Sequence, residues 1–317
     1  MARLTKIILT FLIVIFSFQA QAKNPPPGTG TSDIPANILI MLDNSGSMST
    51  KLYTSVEVYY PLDVATDSSG NVYVMEYHNN RIKVFNSSGA YLRSFGGYGT
   101  GCTRWQYARQ FAIYDDKIYL ADTYGRRIKV LNLNGGCIKD VKSNFRYPHA
   151  IAVSSIYAYV GYANNHYWSL YWRSSMKRDS SQPPWGPFIK YYWGMSLNSA
   201  EDKMIIADYG KNRLVELKIF WSGYGLMLNQ DSGQGYTGPI GPSTSAGHSS
   251  SNGYFRRPTD AAYDSNGNIY ALDLYGNRIQ KFNSSLTYQA KTGSWSVSAG
   301  FRYPYGMHID SSDNIYV

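Results

Sequence analysis

The sequence predicts an all-β fold, a six-bladed β-propeller of four-stranded antiparallel blades with the last blade incomplete. Three observations carry that expectation. Five stretches are near copies: NVYVMEYHNNRIKVF from Asn71, KIYLADTYGRRIKVL from Lys117, YAYVGYANNHYWSLY from Tyr157, KMIIADYGKNRLVEL from Lys203 and NIYALDLYGNRIQKF from Asn268; a sixth opens at Asn314. Their anchors, Tyr73, Tyr119, Tyr159, Ile205, Tyr270 and Tyr316, recur every 40 to 46 residues with one step of 65, the period of a radial array of small sheets. Each copy alternates apolar and polar residues between Gly- and Asn-rich turns, and 30 tyrosines among 317 residues suit pleated, half-buried faces.

Within a unit the elements follow in a fixed order. A Pro or aromatic leads into a short inner strand, as in PLDVA from Pro61, PHAIAV from Pro148 and PTDAAY from Pro258. A polar hairpin turn follows, DSSGN from Asp67 or DSNGN from Asp264, whose Gly and Asn accept the positive φ of tight loops. The alternating second strand, a five-residue connection and the RIKVF-type third strand come next, and a last strand such as AYLRSF from Ala90 closes the blade. Leu52 to Tyr60 is expected to add an outer strand that ties the N-terminal end to the sixth blade.

The order of Pro, apolar strand, D-x-x-G-N-I-Y-V, A-D and N-R-I-x-V-F resembles the NHL repeat over most of Pro61 to Val317. The third unit departs from it, with Gly161-Tyr162 in place of Ala-Asp and Tyr167-Trp168 in place of Arg-Ile; its blade is expected to form with altered surface chemistry. The resemblance implies a scaffold that serves either binding or, in some relatives, hydrolase or lyase chemistry with a metal in the central channel.

Upstream of the repeats the chain divides at 1–22, 23–35 and 36–50, leaving the propeller at 51–317. Arg3 and Lys6, the apolar run Ile7 to Phe18 and Ala20-Gln21-Ala22 form a signal-peptide pattern with cleavage before Lys23, so the mature chain is expected to be secreted, periplasmic or at the cell surface. No other stretch reaches transmembrane length. Residues 23–35 are a Pro/Gly-rich linker. The apolar run Ala36 to Leu42 followed by DNSGSM resembles the opening strand and metal loop of a von Willebrand factor A domain. That resemblance implies a Mg²⁺ or Ca²⁺ at the loop, with Asp43 acting through water and Ser45 and Ser47 as direct ligands. The rest of such a domain has no counterpart before the propeller begins. Either the propeller is inserted after the loop or the helix-sheet part is lost. An A-type loop joined to a propeller resembles the architecture of type IV pilus-associated adhesins.

The formal charge of +9 falls by two once Arg3 and Lys6 are removed, and the remaining basic residues are scattered. Export argues against nucleic acid, so an acidic surface, protein or polysaccharide is the expected partner. Four acid–Arg couples recur at one spacing: Glu76 with Arg81, Asp122 with Arg127, Asp208 with Arg213 and Asp273 with Arg278. A ring of catalytic or metal-binding carboxylates would explain them; a clamp fixing each short connection explains both the geometry and the repetition. The same connections carry the candidate binding face, Tyr77, His78, Tyr124, Arg126, Tyr209, Lys211 and Tyr275. Inserted segments at 173–188 and 221–254 are expected to lengthen connections on that face, the second with the Ser- and Gly-rich composition of a disordered loop. Of the histidines, His149 and His308 lie in or beside innermost strands but at different repeat positions. No G-x-S-x-G, H-E-x-x-H, Walker loop or C-x-x-C is present. The expected function is binding or adhesion by a non-enzyme; a metal-dependent lyase or lactonase and a structural envelope component are the alternatives. Cys102 and Cys137 are placed at opposite ends of the second blade, too far apart for a disulfide, although an oxidising compartment would allow one.

Overall fold

The computed structural model describes residues 38–39, 58–143, 146–163, 167–180, 189–222, 225–228, 236–240, 250–293 and 303–317. It opens with β1 (Ile38–Leu39). Blade 1 contains β2 (Pro61–Thr66), β3 (Val72–Glu76), β4 (Arg81–Phe85) and β5 (Tyr91–Gly96); blade 2 contains β6 (Phe111–Tyr114), β7 (Lys117–Asp122), β8 (Arg127–Asn132) and β9 (Cys137–Lys142). Blade 3 has three strands, β10 (Pro148–Val153), β11 (Tyr157–Tyr162) and β12 (Trp168–Trp172). Blade 4 has five: β13 (Tyr192–Leu197), β14 (Lys203–Asp208), β15 (Arg213–Ser222), β16 (Gly225–Leu228) and β17 (Tyr236–Ile240). Blade 5 is β18 (Pro258–Tyr263), β19 (Ile269–Asp273), β20 (Arg278–Phe282) and β21 (Tyr288–Thr292). Within every blade the pairing is antiparallel.

The expected count of six is corrected to five blades. The sixth position holds a small sheet in which β22 (His308–Ile309) pairs β23 (Ile315–Tyr316), because the sixth unit contains residues for only two strands. The strand added there is β1, parallel to β23; of the expected outer strand at Leu52 to Tyr60, residues 58–60 form no strand and 52–57 lie outside the described residues. Among the described residues the only helical turn is the 3₁₀ segment Tyr209–Lys211, and no helix is long and apolar enough to cross a membrane.

The core lies between neighbouring sheets and is divided among them. Blades 1 and 2 share Tyr73, Ile82, Trp105 and Leu120; blades 3 and 4 share Tyr159, Leu170, Tyr192 and Ile206. The anchor tyrosines can be buried because their hydroxyls are satisfied locally: Tyr73 donates to Asp67 at 3.1 Å and Tyr316 to Asp310 at 3.0 Å. Both aspartates also fold the polar turns, accepting from backbone N–H groups two and four residues on.

Inner strands are tied to one another around the channel. Asp63 accepts from the backbone N–H of Phe111, Gln110 from that of Ile151 and Asp260 from that of Met307. Ser196 donates to the carbonyl of Ala261, and the 2.9 Å contact between Thr66 Oγ1 and His308 Nε2 joins blade 1 to the sixth sheet.

Two inserted segments depart from expectation. Residues 173–180 turn back along β12, with Met176 buried, a bridge between Tyr171 and Arg178, and Asp179 accepting from the Tyr157 hydroxyl at 3.1 Å. They take the place of blade 3's fourth strand, and the remainder of that insertion, 181–188, lies outside the described residues. Of the second insertion, the described residues contribute β16 and β17, both paired to β15, while the Ser- and Gly-rich run at 241–249, where the composition suggests disorder, lies outside the described residues. Cys102 and Cys137 are joined in a disulfide with Cα atoms 5.6 Å apart. The connection from blade 1 runs down the face of blade 2, where the carbonyl of Gly101 accepts from Lys129 Nζ at 3.0 Å, and this carries Cys102 to the foot of β9.

Candidate functional site

The site is built by a device repeated in each unit. The residue after the leading Pro or aromatic is extruded from the inner strand by a register shift, between Pro61 and Asp63, Pro148 and Ala150, Tyr192 and Met195, and Pro258 and Asp260. A β-bulge re-aims a side chain out of the ladder. At these bulges stand Leu62, His149, Trp193 and Thr259, with Arg109 and Tyr305 at the corresponding places in the second and sixth units. His149, Trp193 and Arg109 line one cavity of about 440 Å³, together with Thr123, Tyr124 and Tyr147.

The residues leading into each inner strand are held from two sides. The acid that ends a blade's second strand accepts from its own blade's lead-in: Glu76 from Tyr59 N (2.7 Å), Asp122 from Gln106 N (2.7 Å), Asp208 from Lys190 N (3.0 Å) and Asp273 from Arg256 N (2.6 Å). The Asn that ends the following turn adopts a left-handed backbone and reaches the next blade: Asn80 accepts from Tyr107 N, Asn212 from Arg257 N and Asn277 from Tyr303 N. Tyr107, Arg257 and Tyr303 are themselves left-handed, with φ of 51°, 68° and 54°. Non-glycine residues in that region cost about 1–3 kcal/mol each and persist where surroundings dictate them, which is common at ligand clamps.

The four acid–Arg couples divide. Arg81 binds Glu76, Arg213 binds Asp208 at 3.2 Å and Arg278 binds Asp273 at 2.9 Å. In blade 2 Arg127 instead takes Asp140 at 2.7 Å, while Lys129, inside the blade, approaches Asp122 at 3.8 Å. The couple fails there because Asp140 on the outer strand lies within reach of both cations. All four acids are fully buried, and none lines the cavity.

On the same face the turn residues join their neighbours into an aromatic arc. His78 meets Tyr77 at 5.1 Å, Tyr77 meets Tyr107 at 5.3 Å, Tyr107 meets Tyr124 at 5.8 Å and Tyr124 meets Tyr147 at 5.9 Å between ring centroids. Trp193 stacks on Tyr209 at 4.2 Å, and Tyr275 meets Tyr303 at 5.8 Å. Cations are interleaved. The Arg109 guanidinium lies 5.1 Å from the Tyr77 ring and 5.0 Å from Trp193; Arg126 covers Tyr147 and Arg257 covers Tyr209, each at 4.7 Å. Lys211 lies in the turn beside Tyr209, its amine shifted down by burial and by Arg213.

His149 packs edge-on to Trp193 at 4.9 Å, and burial, followed by the nearby Arg109 charge, lowers its pKa to about 3. The backbone of Tyr192 and Trp193 hydrogen-bonds the ring, yet Nδ1 is buried with no hydrogen-bond partner. His149 thus lines the cavity as a neutral imidazole. His308 lies three repeat positions deeper and is bonded to Thr66, so the two histidines do not form one site. Among the described residues no three His, Cys, Asp or Glu side chains form a metal-binding group. Asp43, Ser45 and Ser47, like His166 and His248, lie outside the described residues.

Of the seven face residues proposed from sequence, Tyr77, His78, Tyr124 and Arg126 fall on the arc, Tyr209 with its neighbour Lys211 on Trp193, and Tyr275 on Tyr303; Tyr124 is the one that lines the cavity. Sequence reasoning missed Arg109, Trp193, Tyr107, Tyr147 and Arg257. The available signal was the position after the leading Pro, where Leu62, His149 and Thr259 align with Trp193.

The fold is a β-propeller of small antiparallel sheets, and two of its blades carry recognisable NHL repeats. The NHL repeat family matches residues 58–85 and 255–282, the inner three strands of blades 1 and 5. No curated protein matches the sequence. Among solved structures the chain is similar to a structural genomics protein of unknown function from Bacteroides thetaiotaomicron (TM-score 0.59, 13% identity); 80% of this chain is covered and it spans 65% of that one, just under two thirds. It is also similar to a streptogramin B lyase (TM-score 0.54, 12% identity, 82% and 83% of the two chains) and to virginiamycin B lyase from Staphylococcus aureus (0.50, 13%, 78% and 73%). At these identities the likeness is one of fold.

Proposed function

We propose that this chain is an exported binding or adhesion module that seats an acidic polysaccharide in the mouth of its propeller. The observation that carries the reading is a cavity lined by aromatic rings from several blades and by the Arg109 guanidinium, with no carboxylate in its lining. Ring faces stack on the apolar faces of sugars, and guanidinium forks pair with carboxylates bidentately. His149 adds a neutral imidazole to the lining. The disulfide is in keeping with export.

Trp193→Ala and Arg109→Ala are each expected to weaken binding of polygalacturonate at least tenfold, read by isothermal calorimetry, with a neutral dextran binding weakly throughout. Unchanged affinity in both variants, or tighter binding of a single-stranded oligonucleotide than of the polysaccharide, would sink the reading.

A second reading, a propeller lyase, is favoured by the same His149, and two of the similar folds are named as lyases. General-base catalysis works best with a pKa near the working pH, and an imidazole whose pKa has fallen to about 3 is a weak base. The electrostatics thus support binding over proton abstraction. The third alternative, a structural envelope component, predicts no soluble ligand for the mouth.

The cation loop belongs to this reading as a separate element. Asp43, Ser45 and Ser47 are expected to hold Mg²⁺ or Ca²⁺ weakly, since three ligands from one loop leave half an octahedral shell to water. Calorimetric titration should show weak binding that disappears in Asp43→Ala; binding that survives the substitution would place the cation elsewhere.

A further inference from the structure

A second cavity, of about 260 Å³, opens between blades 2 and 3, outboard of the mouth. Its lining is chemically one-sided: Arg146 and Arg178, the hydroxyls of Ser143 and Ser169, and those of Tyr162 and Tyr171. We propose that this cleft binds a tetrahedral oxyanion, the sulfate or phosphate ester group of a larger ligand.

The repeat explains how the cleft arose. In blades 1, 2, 4 and 5 the second strand ends in a carboxylate, Glu76, Asp122, Asp208 or Asp273, whereas β11 ends in Tyr162. The third strand of those blades opens with an Arg, whereas β12 opens with Trp168. Blade 3 has therefore lost the acid that would neutralise a cation at this end. A cation is nonetheless supplied from the connection between the blades, by Arg146.

Arg146 is held in place by aromatic faces. Its guanidinium lies 3.9 Å from the Tyr167 ring and 5.5 Å from Tyr162, and its Nη1 is buried with no hydrogen-bond partner. A buried guanidinium nitrogen left unmatched needs an acceptor. Among the described residues neither Arg146 nor Arg178 has a carboxylate within salt-bridge distance. A water molecule could satisfy Nη1, but two guanidinium charges facing one cleft also call for negative charge.

Donors complete the set. Tyr162 and Tyr171 share one hydrogen bond, oxygen to oxygen at 3.2 Å, so one of the two phenolic protons is left for a ligand. Arg178 stands at the exposed rim on the segment that replaces the fourth strand, bridged to Tyr171 through the backbone. A planar fork at the base, a second at the rim and hydroxyls between them suit an anion with three peripheral oxygens. A water claims ~30 Å³ of liquid volume, so the cleft has room for such a group.

The proposal is independent of what occupies the mouth, and inorganic probes keep the two apart. Sodium sulfate and potassium phosphate are titrated into the full chain against sodium chloride at matched ionic strength, with affinity read by calorimetry and melting temperature by scanning fluorimetry. The expected result is a saturable rise in melting temperature with sulfate, phosphate or both, with affinity reduced at least tenfold in Arg146→Gln and in Arg178→Gln. Lys291→Gln, on blade 5, should behave as wild type. Arg178 is exposed, so its substitution leaves the fold intact should Arg146→Gln prove unstable. A response to sulfate alone marks the ester as sulfate and to phosphate alone as phosphate. No response beyond chloride, or wild-type affinity in both Arg variants, overturns the proposal.

Discussion

Removing the Cys102–Cys137 disulfide is expected to lower the stability of the propeller by about 3–4 kcal/mol, the loop-closure value for a bridge that spans 35 residues. For a domain of this size that corresponds to a fall in melting temperature of roughly 6 °C. The measurement is a thermal melt of the double variant Cys102→Ser/Cys137→Ser against the oxidised wild type, with the bridge verified by mass spectrometry. The effect should reach the mouth as well. The bridged connection goes on to supply Tyr107 and Arg109, and Trp105 within it is buried between blades 1 and 2. Loosening its upstream end widens the range of positions open to Arg109, so polygalacturonate affinity should drop together with stability. An unchanged melting temperature would mean that the buried Trp105 and the Lys129–Gly101 bond already fix the connection in the unbridged chain.

What could be read from the sequence, and what could not, divides along the origin of each constraint. The second and third strands of every blade were legible because their alternation is local, and the hairpin turns because Asp67, Asp264 and Asp310 fold their own following residues. The face residues Tyr77, Tyr124, Tyr209 and Tyr275 were legible because the repeat fixes which end of the blade they occupy. Arg109 and Trp193 were not. Their direction comes from bulges and from backbone contacts made by another blade, as when Asn80 fixes Tyr107, and such contacts have no signature within the unit that carries the side chain. The fourth strand of blade 3 and the disulfide failed for one reason. Both depend on where a connection runs across a neighbouring sheet, and repeat alignment says only where it starts and stops. Blade count was overestimated because a recognisable half-unit at Asn314 reads as a blade, while a blade requires strands enough to cover both its neighbours.

The channel contains a pair of acids whose consequence is thermodynamic. Asp63 and Asp260 are both buried, each accepting the backbone N–H of the next blade's inner strand. Glycine at 194 and 306 makes room beside them: a Cβ on Gly194 would strike the Asp260 carboxylate, and one on Gly306 the backbone of blade 1 at Leu62 and Asp63. Burial raises both carboxyl pKa values, Asp260 to about 7, and repulsion from Asp260 raises Asp63 further. A carboxyl whose folded pKa lies above its unfolded value of 3.8 holds a proton that the unfolded chain has released. Its stabilisation is therefore complete below about pH 4 and is lost as pH rises through the folded value. Asp63→Asn keeps the acceptor oxygen for Phe111 and removes the charge. The stability of this variant relative to wild type should accordingly rise with pH between pH 4 and pH 8. His149 and His308, whose depressed pKa values give the opposite slope, are common to both proteins and cancel in the difference. Urea melts of the two proteins at pH 4, 6 and 8 read it directly. A difference that stays flat across that range would mean that Asp63 is ionised throughout, and hence that the channel is wet enough to solvate it.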